Sequence, residues 1–74
     1  MSRYGVVLFH TTSSVMRAEK RLLKAGLTIK LIPTPRQFSS DCGISARFEW
    51  EHNEKVKNLL EQDGIEFEAI HQIK

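Results

Sequence analysis

The sequence predicts an α+β domain, a ferredoxin-like βαββαβ sandwich with both helices on one face of a four-stranded antiparallel sheet. Helical and strand periods of apolar residues follow one another in the order strand, helix, strand, strand, helix, strand. The segments LLKAGLTIKLI (22–32) and LLEQDGIEFEAI (59–70) repeat one pattern, a helix end, a glycine and an alternating strand. Two equal halves of this kind most often form this sandwich, with the first and third strands side by side in the centre. The length of 74 residues suits a single domain, 1–74.

The first strand and the first helix are the clearest elements of the first half. Tyr4 to His10 is an apolar run rich in valine, which predicts a central strand. The helix follows in TTSSVMRAEKRLLKAG (11–26), where apolar residues recur with helical period. Thr12 or Ser13 can cap the start of this helix, and Gly26 is placed to end it in the left-handed conformation.

The remaining elements follow in order. LTIKLI (27–32) alternates as a strand that Pro33 stops, and ISARFEW (44–50) alternates as the third strand. HNEKVKNLLEQDG (52–64) is the second helix, and IEFEAIHQI (65–73) is the last strand, with Ile65, Phe67 and Ala69 on its buried side. The third strand is expected to direct Ile44, Ala46, Phe48 and Trp50 to one side and Ser45, Arg47 and Glu49 to the other. The predicted core contains Leu22, Ile29, Leu31, Ile44, Phe48, Leu59, Leu60 and Phe67.

Composition excludes several classes of protein. The net charge of +2 arises from interleaved acids and bases, which favours neither nucleic acid nor membrane as a partner. One cysteine cannot form an internal disulfide, and no apolar run approaches the length that spans a membrane. The first residues lack the features of a signal peptide. We therefore expect a cytoplasmic protein, in a compartment where a single thiol stays reduced.

The stretch PTPRQFSSDCGISARF (33–48) is the most informative part of the chain. It holds both prolines and the only cysteine, and its loop of about ten residues is longer than the two to five that a hairpin needs. Small, polar and charged residues surround the thiol rather than apolar ones. This composition favours a reactive Cys42 over a cysteine that only fills space, although the second is the commoner role of a lone cysteine.

The predicted topology brings Cys42 to a particular place. The first strand ends, the first helix begins and the long loop returns at one edge of the sheet, so Cys42 should lie near His10 and the start of the first helix. We expect the thiol to be at least partly exposed there, with Arg36 on the same side. A thiol reacts as its thiolate, and the positive end of a helix dipole stabilises that anion.

Several groups could hold an anion beside this thiol. The amides of Ser13, Ser14 and Val15 at the helix start are candidates, as are the guanidinium of Arg36 and the hydroxyls of the loop serines. Asp41 opposes them unless it caps the loop, and Gly43 lets backbone and substrate approach closely. The predicted site is Cys42 as the reacting residue, with Arg36, Ser39, Ser40, Gly43, Ser13, Ser14 and His10 as binding residues.

Other chemistries fit the sequence less well. Cys42 and Arg47 are one residue short of the spacing in thiol phosphatases, and Arg47 falls in a predicted strand. The three histidines and Cys42 show no ligand spacing, so we expect neither a metal nor a cofactor. An RNA-recognition surface needs aromatic residues on the open sheet face, whereas Phe48 and Trp50 should face the core.

The first strand is apolar on both faces, with Val6 and Leu8 on one side and Val7 and Phe9 on the other. One of these pairs must therefore lie on the sheet face that carries no helix. That pair indicates either dimerisation or a protein partner, or packing of the core against a terminal extension.

The loop resembles one known family. The pattern Pro-x-Pro-Arg, serines and then Cys-Gly leading into a strand is similar to that of small bacterial Se/S-carrier-like proteins, and AEKRLLKAG (18–26) also fits. The matching loop residues are Pro33, Pro35, Arg36, Ser39, Ser40, Cys42 and Gly43. The resemblance implies a sulfur or selenium carrier that holds its cargo as a persulfide or selenopersulfide and exchanges it with a donor and an acceptor protein.

Two functions from different classes remain open. In the first, Cys42 attacks the persulfide of a donor and passes the terminal sulfur or selenium on, as a carrier without turnover of its own. In the second, the loop and the helix start bind a small anion, or a regulatory partner, and Cys42 is incidental. The rate at which the folded protein reacts with a thiol reagent at mildly acidic pH separates the two.

Overall fold

The sheet of this protein has the strand order β2-β3-β1-β4, in a computed structural model that describes residues 3–38 and 42–73. All neighbouring strands are antiparallel, and β1 and β3 form the centre, which confirms the predicted topology. Within the described ranges, neither helix is long and apolar enough to cross a membrane. The elements are β1 (Tyr4–Leu8), α1 (Thr12–Lys24), β2 (Ile29–Pro33), β3 (Ile44–Glu49), a 3-10 turn (Trp50–His52), α2 (Asn53–Gln62) and β4 (Ala69–Ile73).

The internal repeat is a pair of identical helix ends. After α1, the amide of Gly26 donates to the carbonyl of Leu23 and the amide of Leu27 donates to that of Leu22. After α2, Gly64 and Ile65 bond to Glu61 and Leu60 in the same way. Both glycines have positive φ, +86° and +65°, which non-glycine residues rarely adopt. Each end also buries the apolar residue after the glycine, so both helices are fixed against the sheet at their last turn.

The main core lies between the helices and one face of the sheet. Val7 and Phe9, at the end of β1, pack with the inward faces of α1 and α2, and β3 adds Ala46 and Phe48. Of the predicted core, Leu22, Phe48 and Leu60 are buried, and Ile29, Leu31, Leu59 and Phe67 are partly buried against the same cluster. The prediction for these seven residues is confirmed.

Three predictions about strand residues are wrong. Ile44 is 39% exposed, because it begins β3 opposite Pro33 at the end of an edge strand. Trp50 begins the 3-10 turn rather than ending β3, although its side chain still packs against the core. Ala69 pairs with Leu8 on the face away from the helices, and the next residue, Ile70, packs against the core instead. The strand begins only at residue 69, so alternation counted from Ile65 has the wrong phase there.

The sheet face away from the helices is also covered. Val6 and Leu8 have 0% and 2% exposure although they lie outside the main core cluster. The neighbour of Leu8 on β4 is only an alanine, which is too small to cover it. The loop after β2 supplies cover, because Phe38 stacks on His71 of β4 with ring centroids 4.3 Å apart and planes 7° from parallel. The covering segment is thus an internal loop and not the terminal extension that the sequence suggested, while dimerisation or a protein partner stays a prediction.

Candidate functional site

Cys42 lies beside the start of α1, as the topology predicts. Its Sγ atom is 3.9 Å from the Thr12 hydroxyl oxygen, although thirty residues separate the two in sequence. Thr12 itself is exposed, so the thiol lies immediately beneath the surface at this edge of the sheet. The expectation of a partly exposed thiol is wrong, because Cys42 is 5% exposed and belongs to the main core cluster.

The side of the sheet on which Cys42 lies follows from strand alternation, although its depth does not, since Ile44 has the same parity and is 39% exposed. Residues 42, 44, 46 and 48 have the same parity, and Ala46 and Phe48 face the helices. Extending the period of β3 backwards by one pair therefore directs the Cys42 side chain to the helix side of the sheet. The polar residues around the cysteine in sequence concealed this signal, since they suggested a loop that stands clear of the core.

The start of α1 is capped by Thr11, not by Thr12 or Ser13 as predicted. The Thr11 hydroxyl oxygen accepts a bond from the Ser14 amide at 3.2 Å, and the Val15 amide donates to the Thr11 carbonyl at 3.3 Å. The Thr11 hydroxyl also donates to the buried Ser14 hydroxyl at 3.1 Å. Two of the three amides predicted to bind an anion are thus used in capping, and Ser13, which is exposed, is the remaining one of the three.

Thr34 ties the two ends of the long loop together. Its amide donates to the Gly43 carbonyl at 2.9 Å, and its hydroxyl donates to the Cys42 carbonyl at 3.0 Å. The same hydroxyl oxygen is 2.8 Å from the Ser45 hydroxyl. Because the Thr34 hydroxyl has one proton and gives it to Cys42, Ser45 must be the donor in the second bond. This Thr34 clamp, at the end of β2, therefore holds the backbone at Cys42 and Gly43.

The other predicted site residues are placed less closely around the thiol. Arg36 is exposed in a turn that the Phe38 amide closes onto the Pro35 carbonyl at 3.0 Å. This turn leads to the Phe38–His71 stack, on the sheet face opposite to the thiol. Ser39 and Ser40 lie outside the described residues. His10 is exposed at the sheet edge where α1 begins. A shared anion site for these residues stays a prediction.

Gly43 has open space around the position of a side chain. A Cβ atom built on it meets no heavy atom within 4 Å, and its φ is not positive. No close contact or backbone conformation therefore requires a glycine there. That Gly43 lets a substrate approach the thiol stays a prediction.

One group among the described residues could hold a metal ion by distance alone. Glu49, Glu51 and His52 each place a ligand atom within 4.8 Å of the others, on the surface at the end of β3. The group is formed by neighbours in sequence and contains none of the predicted site residues. Exposed clusters of this kind are common without a metal, and it carries no functional assignment.

Sequence reasoning missed Thr34 and underestimated Thr12 as neighbours of the thiol. Thr34 stands between the two prolines of the loop, where a turn-forming role was the obvious one. The register of the β2–β3 hairpin would have found it, because Pro33 pairs with Ile44 and the next pair outward is Thr34 with Gly43. Thr12 follows from the same topology that placed Cys42 at the helix start.

A comparison with known protein families identifies the family of this chain. Residues 4–72 match the family described as "Putative Se/S carrier protein-like". The chain belongs to this family. The match includes both helices, the loop with Cys42 and all four strands, of which only the last residue of β4 lies outside it. No curated protein and no solved structure matches the chain.

Proposed function

We propose that this protein carries sulfur or selenium bound to Cys42 as a persulfide or selenopersulfide. One observation carries the proposal: a chain of the Se/S-carrier-like family contains a single thiol. Covalent carriage of a sulfane sulfur or of selenium needs a nucleophilic sulfur, and the thioethers of the two methionines do not supply one. This chemistry suits the cytoplasm, the compartment that the sequence predicts, because thiols stay reduced there.

The loading step needs no external oxidant or reductant. The Cys42 thiolate attacks the terminal sulfur of a donor persulfide, an S–S bond forms at Sγ, and the S–S bond within the donor breaks. The donor leaves as a thiolate and takes up a proton from solvent, as Cys42 released one before the attack. Transfer to an acceptor thiol repeats the exchange and regenerates the Cys42 thiol. Selenium follows the same sequence with an Se–S bond.

The burial of Cys42 sets the conditions for this chemistry. The thiol is 5% exposed, with its Sγ atom 3.9 Å from the Thr12 hydroxyl oxygen, so a donor reaches Sγ only after neighbouring groups such as the Thr12 side chain move. Rotation of an exposed side chain takes picoseconds to nanoseconds, whereas loop motion takes nanoseconds to microseconds. Both are fast compared with protein encounters. Between transfers, the same cover shields a bound persulfide from oxidants and from stray thiols.

A second candidate is favoured by that same burial. If Cys42 is only a packing residue, the long loop and the start of α1 bind a small anion or a regulatory partner without covalent chemistry. The thiol then reacts with reagents only when the protein unfolds. The carrier and the anion-binding module therefore differ in one measurable property, the reaction of the folded protein with a thiol reagent at mildly acidic pH.

Intact mass tests the carrier directly. Incubated with a cysteine desulfurase and cysteine, the wild-type protein should gain one sulfur atom that a mild reductant removes, and Cys42→Ser should gain none. A peptide with the sequence of residues 33–48 is the unfolded control. Equal loading of the folded protein and this peptide would mean that the fold contributes nothing, and the carrier would be abandoned. Transfer of the sulfur from the loaded protein to an acceptor thiol is the decisive second step.

A further inference from the structure

The exposed face of α1 is apolar along its centre. Met16 and Leu23, which are 56% and 49% exposed, lie two helical turns apart on the face that points away from the core. The remaining large exposed hydrophobic residue among those described is Ile44, only two positions after Cys42. All three therefore belong to α1 or to the sheet edge where α1 begins. Met16 and Leu23 therefore form an exposed apolar strip along α1, and an exposed apolar strip with polar residues beside it is typical of a protein interface.

Cations lie along one side of the apolar residues of α1, and Glu19 lies on the other side, within one turn of both Met16 and Leu23. Arg17, Lys20, Arg21 and Lys24 line a groove of about 230 Å³ that runs towards Asp63 and Ile65. Asp63 is the one carboxylate in its lining, and it pairs with Arg21 at 2.8 Å. Residues 12–24 hold these four cations and one acid, Glu19, which gives this helix a charge of +3. The whole chain has +2, so all other residues together have −1.

The face reaches the thiol site. Thr12 and Met16 are one turn apart on α1, so they lie on the same side of the helix. Thr12 is also the residue whose hydroxyl lies 3.9 Å from Sγ of Cys42. A protein seated on Met16, Lys20 and Leu23 would therefore extend over the cover of the thiol without reorientation of either chain.

We propose that this α1 face (Met16, Arg17, Lys20, Leu23 and Lys24, with Ile44 beside it) docks an acidic protein that exchanges sulfur or selenium with Cys42. The inference rests on the proposed function and names the partner by its chemistry, an apolar centre with carboxylates around it. Opposite charges speed the encounter and orient it, while the apolar side chains lengthen the lifetime of the complex.

Charge and chemistry select this occupant over three others. A second copy would bring two helices of charge +3 together, which opposes association. A membrane surface requires a wide apolar helix face, and α1 exposes only Met16 and Leu23, because Val15, Ala18 and Leu22 are buried in the core. Single-stranded nucleic acid binds through aromatic residues beside cations, and the α1 face has cations but no aromatic residue.

The experiment compares two charge reversals of equal size. Lys20→Glu with Lys24→Glu reverses the α1 face, and Lys55→Glu with Lys57→Glu makes the same change at exposed positions of α2. Loading of Cys42 is followed by intact mass from two sources, a cysteine desulfurase of acidic overall sequence and an uncharged alkyl persulfide. The α1 variant should load from the desulfurase about tenfold more slowly than wild type, within the range of electrostatic steering. The α2 variant should change less than about twofold, and salt should slow wild type towards the α1 variant.

Comparing the desulfurase with the alkyl persulfide distinguishes failure of the proposed function from failure of the docking inference. If the alkyl persulfide does not load wild-type Cys42, the proposed function fails. If it loads all proteins equally but the desulfurase does not distinguish the α1 variant from the α2 variant, the docking inference is overturned. Binding of wild type, but not of the α1 variant, to anionic lipid vesicles or to single-stranded DNA at physiological salt would overturn the choice of occupant.

Discussion

Gly5 shows how strongly one residue constrains the core. A Cβ atom built on it would lie 2.6 Å from ring carbons of both Phe48 and Trp50. These two rings stack with centroids 6.1 Å apart, and they cover β1 where the central strand has no side chain. A glycine here is therefore a packing requirement rather than a conformational one. Its place inside an apolar run did not reveal this, because the sequence does not show which rings cross the strand.

Gly5→Ala should destabilise the fold, because the buried rings cannot both move away from the added methyl group. We expect a loss of about 1–3 kcal/mol in the free energy of unfolding, as for other overpacked cores. Urea denaturation followed by Trp50 fluorescence measures it. Gly43→Ala is the matched control, since its Cβ meets nothing within 4 Å, and it should stay within about 1 kcal/mol of wild type. Equal stability of the two variants would contradict the packing described for β1.

At the scale of single residues, sequence reasoning predicted where Cys42 lies but not how deeply. The place follows from the topology, which brings residue 42 to the start of α1 regardless of side-chain packing. The period-2 phase of β3, continued back through Cys42, gives the side of the sheet but not the depth, because Ile44 has the same phase and is 39% exposed. Residue types alone suggested a loop, so the phase was not extended.

The long loop is the element whose role changes most once the structure is known. Its sequence favoured a chemical role, and Cys42 is still the residue on which the proposed chemistry depends. The structure adds a packing role, because Phe38 crosses to His71 on the sheet face without helices. A short hairpin turn could not reach across the sheet, which accounts for part of the length. Thr34 bonds to Cys42 and Ser45 and so holds the segment that positions the thiol, whereas Phe38 belongs to the part of the loop that covers the sheet.

Thr34→Val should loosen this segment. The substitution keeps the shape but removes the bond to the Cys42 carbonyl and leaves the fully buried Ser45 hydroxyl without its acceptor. We expect a loss of about 1–3 kcal/mol in the free energy of unfolding, the usual cost of an unsatisfied buried polar group. Thr28→Val, at an exposed position, is the control and should change stability by less than about 0.5 kcal/mol.

A double-mutant cycle tests the pair itself. If Ser45 donates to Thr34, then adding Ser45→Ala to Thr34→Val should cost less than Ser45→Ala alone, with a coupling energy of about 0.5–3 kcal/mol. Strictly additive effects would show that the two hydroxyls do not interact in solution.

Strands and helices differed in how well they could be predicted. Both helix ends were found from a glycine, because the capping motif uses that residue directly. The last strand was given the wrong phase at Ala69, because Ile65 and Phe67 reach the core before the chain enters the sheet. A buried residue outside a strand cannot be told from one inside it by residue type.

The arrangement of the whole molecule was the most predictable feature, since the two equal halves leave few ways to bury two amphipathic helices and a sheet. Surface charge was not predicted, although the sequence contains all of it. The net charge of +2 conceals a helix with +3 and a remainder of −1. The exposed apolar residues near the thiol likewise became visible only when α1 and the start of β3 were placed at one edge.

The two candidate functions differ in the motion that exposes the thiol. A carrier must expose Cys42 by a local opening at Thr12 and the loop, whereas a packing cysteine is exposed only by global unfolding. The rate of reaction with a thiol reagent, measured as urea is added below the unfolding transition, reports which of the two occurs. Local opening uncovers little surface. We therefore expect the opening free energy derived from the rate to fall with urea at less than about half the slope of global unfolding, which is roughly 1 kcal/mol/M for a protein this small.

The control for this measurement is Cys42→Ser combined with Lys55→Cys, which presents one thiol at an exposed position and reports the intrinsic reagent rate at each urea concentration. Opening free energies follow from the ratio of the two rates, provided that closing is faster than reaction. Thr12→Ala should raise the rate at Cys42 about tenfold or less, because it removes part of the cover without unfolding the core, while Thr12→Ser should leave the rate near that of wild type. If instead the rate at Cys42 follows the full slope of unfolding from the first addition of urea, and Thr12→Ala leaves it unchanged, the folded protein never presents its thiol. A carrier cannot work in that way, and the anion-binding module would then be the better account of this fold.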